Sequence, residues 1–287
     1  MKKTLIIGAG PAGISASLYL ARSGKTEVVV VTNGASALAK ADKIENYFGF
    51  AEPVSGKELL ENSRKNAERL GVCFLDTELI DLQVNMEMRF EALTADGTKD
   101  TYDAVLIATG SARKTPKIEG LSALEGKGVS YCAICDAFFY RNKDVVVIGS
   151  GEYALHEALT LTPTAASVTI LTNGVKPEFS LPEQIHCDTR KIKAISGSGR
   201  VEKIIFEDGS EQAAAGVFIA IGTAGSTELA RKIGAPVDGK VIITDENKAT
   251  AVPGVYAAGD CTGGLLQVSK AVADGAIAAM SMLRFFS

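Results

Sequence analysis

Two short stretches of this chain have residue types and spacings that can do chemistry. Cys132-Ala133-Ile134-Cys135-Asp136 sets two thiols two residues apart with a carboxylate beside them. Sulfurs at that spacing can close a small disulfide ring, and favourable surroundings can bring a thiol pKa toward or below ~7 and make the thiolate reactive. Asp136 is placed to move a proton as thiols form; its plain structural role would be a helix N-cap. The second stretch, Gly8-Ala9-Gly10-Pro11-Ala12-Gly13, has the G-x-G-x-x-G spacing of a dinucleotide loop. There the first glycine allows the tight turn, the second lets backbone approach a pyrophosphate, and the third lets helix and strand pack closely. The alternative is a glycine-rich turn with no ligand.

For the cysteine pair, zinc and two inert thiols compete with a redox disulfide. Zinc needs a second pair, but Cys73, Cys187 and Cys261 are scattered singles, and His156 and His186 are the only histidines. A redox role is favoured because a dinucleotide or flavin site in the same chain gives the disulfide an electron partner. Cys261, next to Asp260, reads as a core residue or a neighbour of the cofactor. Cys73 reads as buried strand packing, His156 as structure, and His186-Cys187 as a dyad with nothing nearby to support it.

The elements that must carry these residues come in two similar cycles. Strand Leu5 to Ile7, the glycine turn, helix Ile14 to Ser23 and strand Val28 to Val31 form a βαβ opening. An irregular loop, 33 to 54, and an amphipathic helix, Gly56 to Leu70, follow. Then come short strands at Val72 to Leu75, Leu79 to Val84 and Phe90 to Leu93, a turn at Asp96-Gly97, and a buried parallel strand at Ala104 to Ala108. The second cycle has strand Val145 to Ile148, the turn Gly149-Ser150-Gly151, helix Glu152 to Leu161 and strand Val168 to Leu171. Strands Val201 to Phe206 and Val217 to Ile221 follow, and the cysteine pair precedes the whole cycle on a helical turn. The tail, a strand near Val241, Val255 to Asp260 and an Ala-rich helix from about Leu265 to Phe285, has no domain of its own and returns to the first. The expected fold is α/β, with two Rossmann-like three-layer domains, the second inserted in the first. The boundaries are 1–113 with 227–287, and 114–226.

Neither loop ends its following strand on the acid that usually holds a ribose: the first runs out at Thr32-Asn33. The second loop is also a weaker match, with Ala154 at the third small position. Downstream, 172–179 offers one Lys and no Arg for the extra phosphate of NADPH, where arginine pairs would be the strong contacts.

With 287 residues, 46% apolar and 22% charged, the chain has material for two ordinary globular domains. Its 29 glycines are about 10% of the chain, against a usual ~7%, and the two loops account for part of the excess. A net charge of -4 gives no general attraction to nucleic acid or anionic membrane. Five cysteines are too sparse for a secreted disulfide scaffold, so a reducing, cytoplasmic setting is expected. The apolar run after Lys2-Lys3 stops at the glycine turn and reads as a first strand rather than a signal peptide. No apolar stretch has the length of a membrane span.

Taken together, several motifs resemble the small bacterial-type thioredoxin reductases along essentially the whole chain. They are Gly8 to Gly13, Asn46 in Ile44-Glu45-Asn46-Tyr47, Ala108-Thr109-Gly110, Cys132 to Asp136 continued by 137–143, and Val252 to Asp260. The resemblance implies FAD in the first domain, with Asp260 after Gly259 on its ribityl chain and Gln267-Val268 facing the flavin ring. It implies Cys135 as the flavin-facing sulfur and Cys132 as the one that attacks a partner disulfide. It also implies a homodimer. Thr32 at the end of the second strand is usual for that group, and Asn33 follows it. Where the family has Gly-Gly-Gln before the flavin loop, this chain has Ala35-Ser36-Ala37, and Lys40 is expected to take some of those contacts. With the paired arginines also missing, the chain resembles the ferredoxin-dependent branch more than the NADPH enzymes.

The expectation is therefore a flavin-dependent disulfide reductase that reduces thioredoxin through Cys132/Cys135, with electrons from ferredoxin. The alternatives are an NADPH or NADH donor, and, in a different class, an FAD-binding redox sensor without turnover.

Overall fold

The computed structural model describes residues 1–34, 36–110, 116–222 and 225–287. The chain divides into two compact units, Met1–Ala112 with Gly225–Ser287, and Arg113–Ala224 between them in sequence. The expected boundary at 113/114 lies outside the described residues, and the one at 226/227 falls at the first turn of a helix, Ser226–Lys232.

The first unit opens with β1 (Lys2–Ile7), α1 (Pro11–Ser23), β2 (Thr26–Thr32), α2 (Gly56–Arg69) and β3 (Cys73–Asp76). An antiparallel sheet of β4 (Leu79–Val84), β5 (Phe90–Thr94) and β6 (Lys99–Tyr102) follows, and then β7 (Ala104–Ile107). The second unit contains β8 (Val129–Ser130), α3 (Ala133–Asp136), β9 (Asp144–Ile148), α4 (Glu152–Leu161), β10 (Ser167–Leu171) and β11 (His186–Asp188). It continues with β12 (Ile192–Ser196), β13 (Lys203–Phe206), β14 (Glu211–Ala213) and β15 (Gly216–Ile219). The chain then returns to the first unit through α5 (Ser226–Lys232), β16 (Val237–Asp238), β17 (Val241–Ile242), β18 (Val255–Ala257) and α6 (Val268–Phe285).

Each unit is built on a parallel sheet, ordered β18-β7-β1-β2-β3 in the first and β11-β10-β9-β15-β8 in the second. Their central strands are continuous apolar runs because both faces are covered: β7 and β15 are buried at every residue. In the first unit the core gathers Ile6, Leu20, Val28, Val30, Leu106 and Met282; in the second, Val146, Ile148, Ile204, Phe206 and Val217. Helix α1 begins at Pro11, earlier than apolar spacing alone suggests, because a proline in the first turn forfeits only a donor that has no helical partner. Helix α6 lies hard against it. A Cβ on Gly275 would sit 2.1 Å from the Ala12 carbonyl oxygen, so the missing side chain is what lets the two helices approach.

Two sequence readings need correction. Cys73 is exposed rather than packed: β3 is an edge strand, paired only with β2, and position 73 points away from the core. Asp136 closes α3 and stands at the N-cap position of the 3-10 turn Ala137–Tyr140, but its side chain makes no capping hydrogen bond there. Strands β11 and β12 add pairing that apolar alternation did not indicate, β11 being a three-residue edge.

Candidate functional site

In the first unit the glycine loop is pinned by contacts that only glycine permits. Gly8 has φ 106°, donates its N–H to the Val31 carbonyl at 2.9 Å, and lies so close to β7 that a Cβ would stand 2.5 Å from the Ala108 oxygen. A Cβ on Gly13 would lie 1.9 Å from the Gly8 oxygen. Gly10 differs: the nearest atom to a Cβ there is Ser36 Oγ, at 4.0 Å. Gly10 is also the N-cap of α1 and no side chain caps that helix, so its first-turn N–H groups point where an anion would lie.

Other expected residues gather around this loop. Thr109, whose Cα is 3.1 Å from the position of a Gly8 Cβ, holds its Oγ1 buried with no hydrogen-bond partner, and Gly110 follows it. Thr32 Oγ1 accepts from the Gly34 N–H at 3.1 Å, and Asn33 is exposed. Gly259 backs onto Ala12, its Cβ position 3.0 Å from that residue's Cβ, and so sets Asp260 beside the loop. The turn is clamped from behind. Lys270 Nζ donates to the carbonyls of Gly259 and Gly263 at 2.9 and 2.8 Å and pairs with Asp274 at 2.7 Å, while Lys248 pairs with the other Asp274 oxygen at 2.9 Å. Burial alone would raise the Asp274 pKa, but hydrogen bonds and charge from Lys270 and Lys248 outweigh it and hold the carboxyl below its usual range. Asn46 Nδ2 donates to Gln267 Oε1 at 3.2 Å, tying the 33–54 loop to the start of α6 at Val268. Lys40 lies exposed on the turn Leu38–Lys40, and Ala35 lies outside the described residues.

The second unit carries the sulfur chemistry. Cys132 and Cys135 form a disulfide, with S–S 2.06 Å and Cα–Cα 5.4 Å, that joins the N-cap of α3 to its third residue. Cys132 is 3% exposed; Cys135 is at the surface, as are Ile134, Phe138 and Phe139. Ser130 Oγ accepts from the Cys132 N–H at 3.1 Å and donates to Asp136 Oδ2 at 2.6 Å, so one hydroxyl joins the expected proton carrier to the cysteine backbone. The next peptide N–H, of Ala133, donates to Glu157 Oε2 at 2.7 Å, although Glu157 is on α4 and only 2% exposed. Neither Ser130 nor Glu157 was singled out by motif. Glu157 had a signal all the same, because it shares the buried 154, 157, 158, 161 stripe of α4, where an acid has no packing reason to be.

The second glycine loop is laid out like the first. A Cβ on Gly149 would lie 2.1 Å from the Ala220 oxygen, so that glycine serves packing. At Gly151 the nearest atom to a Cβ is Glu178 Oε2, at 3.8 Å, and the Glu178 N–H donates to the Ser150 carbonyl at 2.9 Å. A carboxylate therefore stands at the middle glycine. The remaining cysteines have no part in the disulfide: Cys73 and Cys187 lie on other strands, and Cys261, buried next to Asp260, donates its thiol to the Ile107 and Ala258 carbonyls at 3.3 Å each. Burial pushes the Cys261 thiol up to about 12, and Cys187 is also raised, by burial and by Asp188. Among the described residues no His/Cys/Asp/Glu cluster could hold a metal ion.

An open dinucleotide loop on one α/β unit, and a cysteine disulfide with neighbouring carboxylates on another, define a nucleotide-cofactor disulfide oxidoreductase. Comparison with known proteins agrees. The family described as pyridine nucleotide-disulphide oxidoreductase matches residues 2–275. Thioredoxin reductase of Rickettsia prowazekii (strain Madrid E) is 34% identical over 310 residues, covering 99% of this chain and 98% of its own. Among solved structures, the atypical thioredoxin reductase TRi from Desulfovibrio vulgaris Hildenborough superposes with TM-score 0.92 at 39% identity, covering 100% of this chain and 98% of that one. A ferredoxin-flavin thioredoxin reductase from Clostridium acetobutylicum gives TM-score 0.70 at 28% identity, covering 99% and 97%. The chain belongs to the pyridine nucleotide-disulphide oxidoreductases, among the thioredoxin reductases, which are FAD-dependent disulfide reductases.

The first unit fits that cofactor on its own geometry. An uncapped helix start, a Gly10 with open space at its Cβ and an orphaned buried hydroxyl on Thr109 are what a pyrophosphate and its ribityl neighbour would complete. Among the described residues, no helix is long and apolar enough to cross a membrane.

Proposed function

We propose that this enzyme reduces thioredoxin or a thioredoxin-like protein, and that its electrons come from a ferredoxin rather than from NADPH or NADH. The donor reading is carried by Glu178, whose carboxylate oxygen lies 3.8 Å from a Gly151 Cβ position, where a pyridine nucleotide would bring its pyrophosphate. An anion at that position meets a second anion, and 172–179 supplies Lys176 but no arginine to offset it. The ferredoxin-flavin enzyme among the structural neighbours supports the same reading. Energetics permit it: from about -400 mV for a low-potential ferredoxin to about -270 mV for thioredoxin is ~130 mV downhill, or ~6 kcal/mol for two electrons.

FAD supplies the adaptation between a one-electron donor and a two-electron disulfide. For FAD, the Gly8–Gly13 loop would hold the pyrophosphate, with Thr32, Asn33, Lys40, Asn46, Thr109, Gly110, Gly259, Asp260, Gln267 and Val268 around the rest. The unit Met1–Ala112 with Gly225–Ser287 would be the FAD domain, and Arg113–Ala224 the disulfide domain. In the disulfide domain, Cys135 exchanges electrons with the flavin, Cys132 attacks the partner disulfide, and Asp136, oriented by Ser130, supplies and recovers the proton. The exposed Phe138 and Phe139 offer the partner an apolar surface beside the sulfurs. The enzyme works as a homodimer in the reducing cytoplasm.

Two experiments test this. Anaerobic addition of NADPH, NADH and reduced ferredoxin to separate samples should bleach the flavin rapidly only with ferredoxin; bleaching by micromolar NADPH overturns the donor assignment. Thiol exchange passes through a mixed disulfide, so Cys135→Ser should accumulate a covalent adduct with thioredoxin on a non-reducing gel. Because Cys132 is buried and Cys135 exposed in the closed disulfide, Cys132→Ser is run alongside. Capture only by Cys132→Ser reverses the roles of the two sulfurs, and capture by neither rejects the substrate.

A further inference from the structure

Asp260 stands on a turn whose two ends are fastened while its own carboxylate is left open. Gly259 and Gly263, at φ 83° and 72°, flank the single 3-10 turn Asp260–Thr262. Lys270 Nζ donates to the carbonyls at both ends and to the Thr262 hydroxyl between them, the last at 3.1 Å. The Thr262 hydroxyl in turn donates to the Gly259 carbonyl at 2.8 Å, and the Gly259 N–H donates to Asp274 Oδ2 at 3.2 Å. Among the described residues, no hydrogen bond or ion pair engages the Asp260 side chain.

Neither the helix nor the core asks for a lysine at position 270. It is the third residue of α6, where the helix dipole opposes a cation, and that first turn carries no acid. The face of α6 turned to the core is packed by Ala271, Ala278, Ala279 and Met282. Holding a long side chain to 20% exposure also costs rotamer freedom. Lys270 and Asp260 both lie near enough to the Cys261 thiol to act on its ionisation, yet the Lys270 ammonium pairs with Asp274. Lys248 takes the other Asp274 oxygen. Both cations are thus engaged by one carboxylate, and Asp260 remains an open acceptor for a charge-assisted hydrogen bond.

We propose that Lys270 is a positioning residue for the cofactor: it holds the Gly259–Gly263 turn in one shape before FAD arrives and leaves the Asp260 carboxylate free to accept from a ribityl hydroxyl. A turn ordered beforehand loses less freedom when the ligand binds, so the ordering appears as affinity. The proposal rests on the reading of Asp260 as a contact of the ribityl chain, and on nothing about the disulfide, the electron donor or the substrate.

The test is FAD titration of the deflavinated full-length protein, read by quenching of flavin fluorescence and set out as a double-mutant cycle on positions 260 and 270. Lys270→Met keeps an unbranched chain of similar length and removes the ammonium. It should weaken FAD about tenfold, the size of one lost charge-assisted hydrogen bond at the low end of its range. Asp260→Ala should weaken FAD by at least as much. In the Asp260→Ala background, Lys270→Met should add less than threefold, because no carboxylate is left to present. Urea unfolding of each deflavinated protein shows that it is folded. A purely structural role for Lys270 would weaken FAD by the same factor in both backgrounds.

A Lys270→Met effect at least three times larger with Asp260 present than without it supports the proposal, and a smaller ratio overturns it. If Asp260→Ala alone binds FAD as tightly as the parent, the reading of Asp260 fails and the proposal with it. If Asp260→Ala weakens FAD and Lys270→Met does not, the proposal alone fails. Should Lys270→Met not fold, Thr262→Val takes its place in the cycle, since it removes the hydroxyl that joins Lys270 to the Gly259 carbonyl. It must weaken FAD at least threefold with Asp260 present and not without it; any other result overturns the proposal.

Discussion

The two glycines of the first loop separate packing from cofactor binding, and Gly10→Ala against Gly13→Ala measures the difference. At position 10 the new methyl has nothing nearer than Ser36 Oγ at 4.0 Å, and the residue's φ of -78° suits any amino acid. The fold should tolerate it, at up to about 1 kcal/mol for an alanine N-cap in place of glycine. The methyl does fill the space through which backbone N–H groups would reach a pyrophosphate. Loss of one charge-assisted hydrogen bond at about 1.5–3 kcal/mol weakens FAD by roughly 10- to 150-fold. At position 13 the methyl would stand 1.9 Å from the Gly8 carbonyl oxygen and 3.2 Å from Ile6 Cγ2, so backbone must move, at a cost of about 3 kcal/mol or more. Urea unfolding of the deflavinated proteins gives the stability term, and FAD titration by flavin fluorescence quenching gives the binding term. Gly10→Ala should change chiefly the second, with at most about 1 kcal/mol in the first, and Gly13→Ala both. If Gly10→Ala binds FAD as tightly as the parent, the first loop does not hold the pyrophosphate.

The clamp behind Asp260 gives a pH signature. Because the folded Asp274 carboxyl titrates below its unfolded value, its contribution is present above about pH 4, near the free carboxylate pKa, and is lost as pH falls through the lowered folded value. Asp274→Asn should cost about 2 kcal/mol in urea unfolding at pH 7, with the gap to the parent closing below pH 4; a constant gap rejects the ionic account. Alkylation of the native, oxidised protein at pH 8 should label exposed Cys73 first, Cys187 slowly and Cys261 not at all. A thiol raised to about 12 is ionised roughly one part in ten thousand at that pH, so labelling of Cys261 at the rate of Cys73 would refute its burial.

Much of the fold was legible because its signals are local. Val28 to Val31, Ala104 to Ala108 and Val145 to Ile148 are unbroken apolar runs that only a doubly covered parallel sheet accommodates, and the repeat of strand, glycine turn and helix disclosed the second unit. The cysteine pair was legible for the same reason, since both sulfurs lie on one turn. What was not legible depends on contacts remote in sequence. Glu157 meets Ala133 across 24 positions, Asn46 meets Gln267 across 221, and the Cys73 side chain faces outward because β3 happens to be an edge. The Lys248–Asp274–Lys270 clamp likewise joins residues whose types, read singly, suggest only solvated charge.

The two glycine loops show why a fingerprint alone under-determines a ligand. In both, the outer positions answer to packing: Gly8 and Gly13 against β7 and each other, Gly149 against the Ala220 carbonyl and Ala154. Those residues are required whether or not anything binds, so their presence cannot distinguish the loops. The middle glycine is the informative one, and what matters there is the atom that faces it. Ser36 presents a neutral hydroxyl to Gly10, whereas Glu178 presents a carboxylate to Gly151. A phosphate charge about 5 Å from that carboxylate, at an effective dielectric of about 20, is opposed by roughly 3 kcal/mol, or about two orders of magnitude in affinity. Glu178→Ser should therefore recover part of any lost affinity for NADPH, measurable as quenching of nucleotide fluorescence. If the variant binds no better than the parent, missing cations rather than the standing carboxylate keep the nucleotide out.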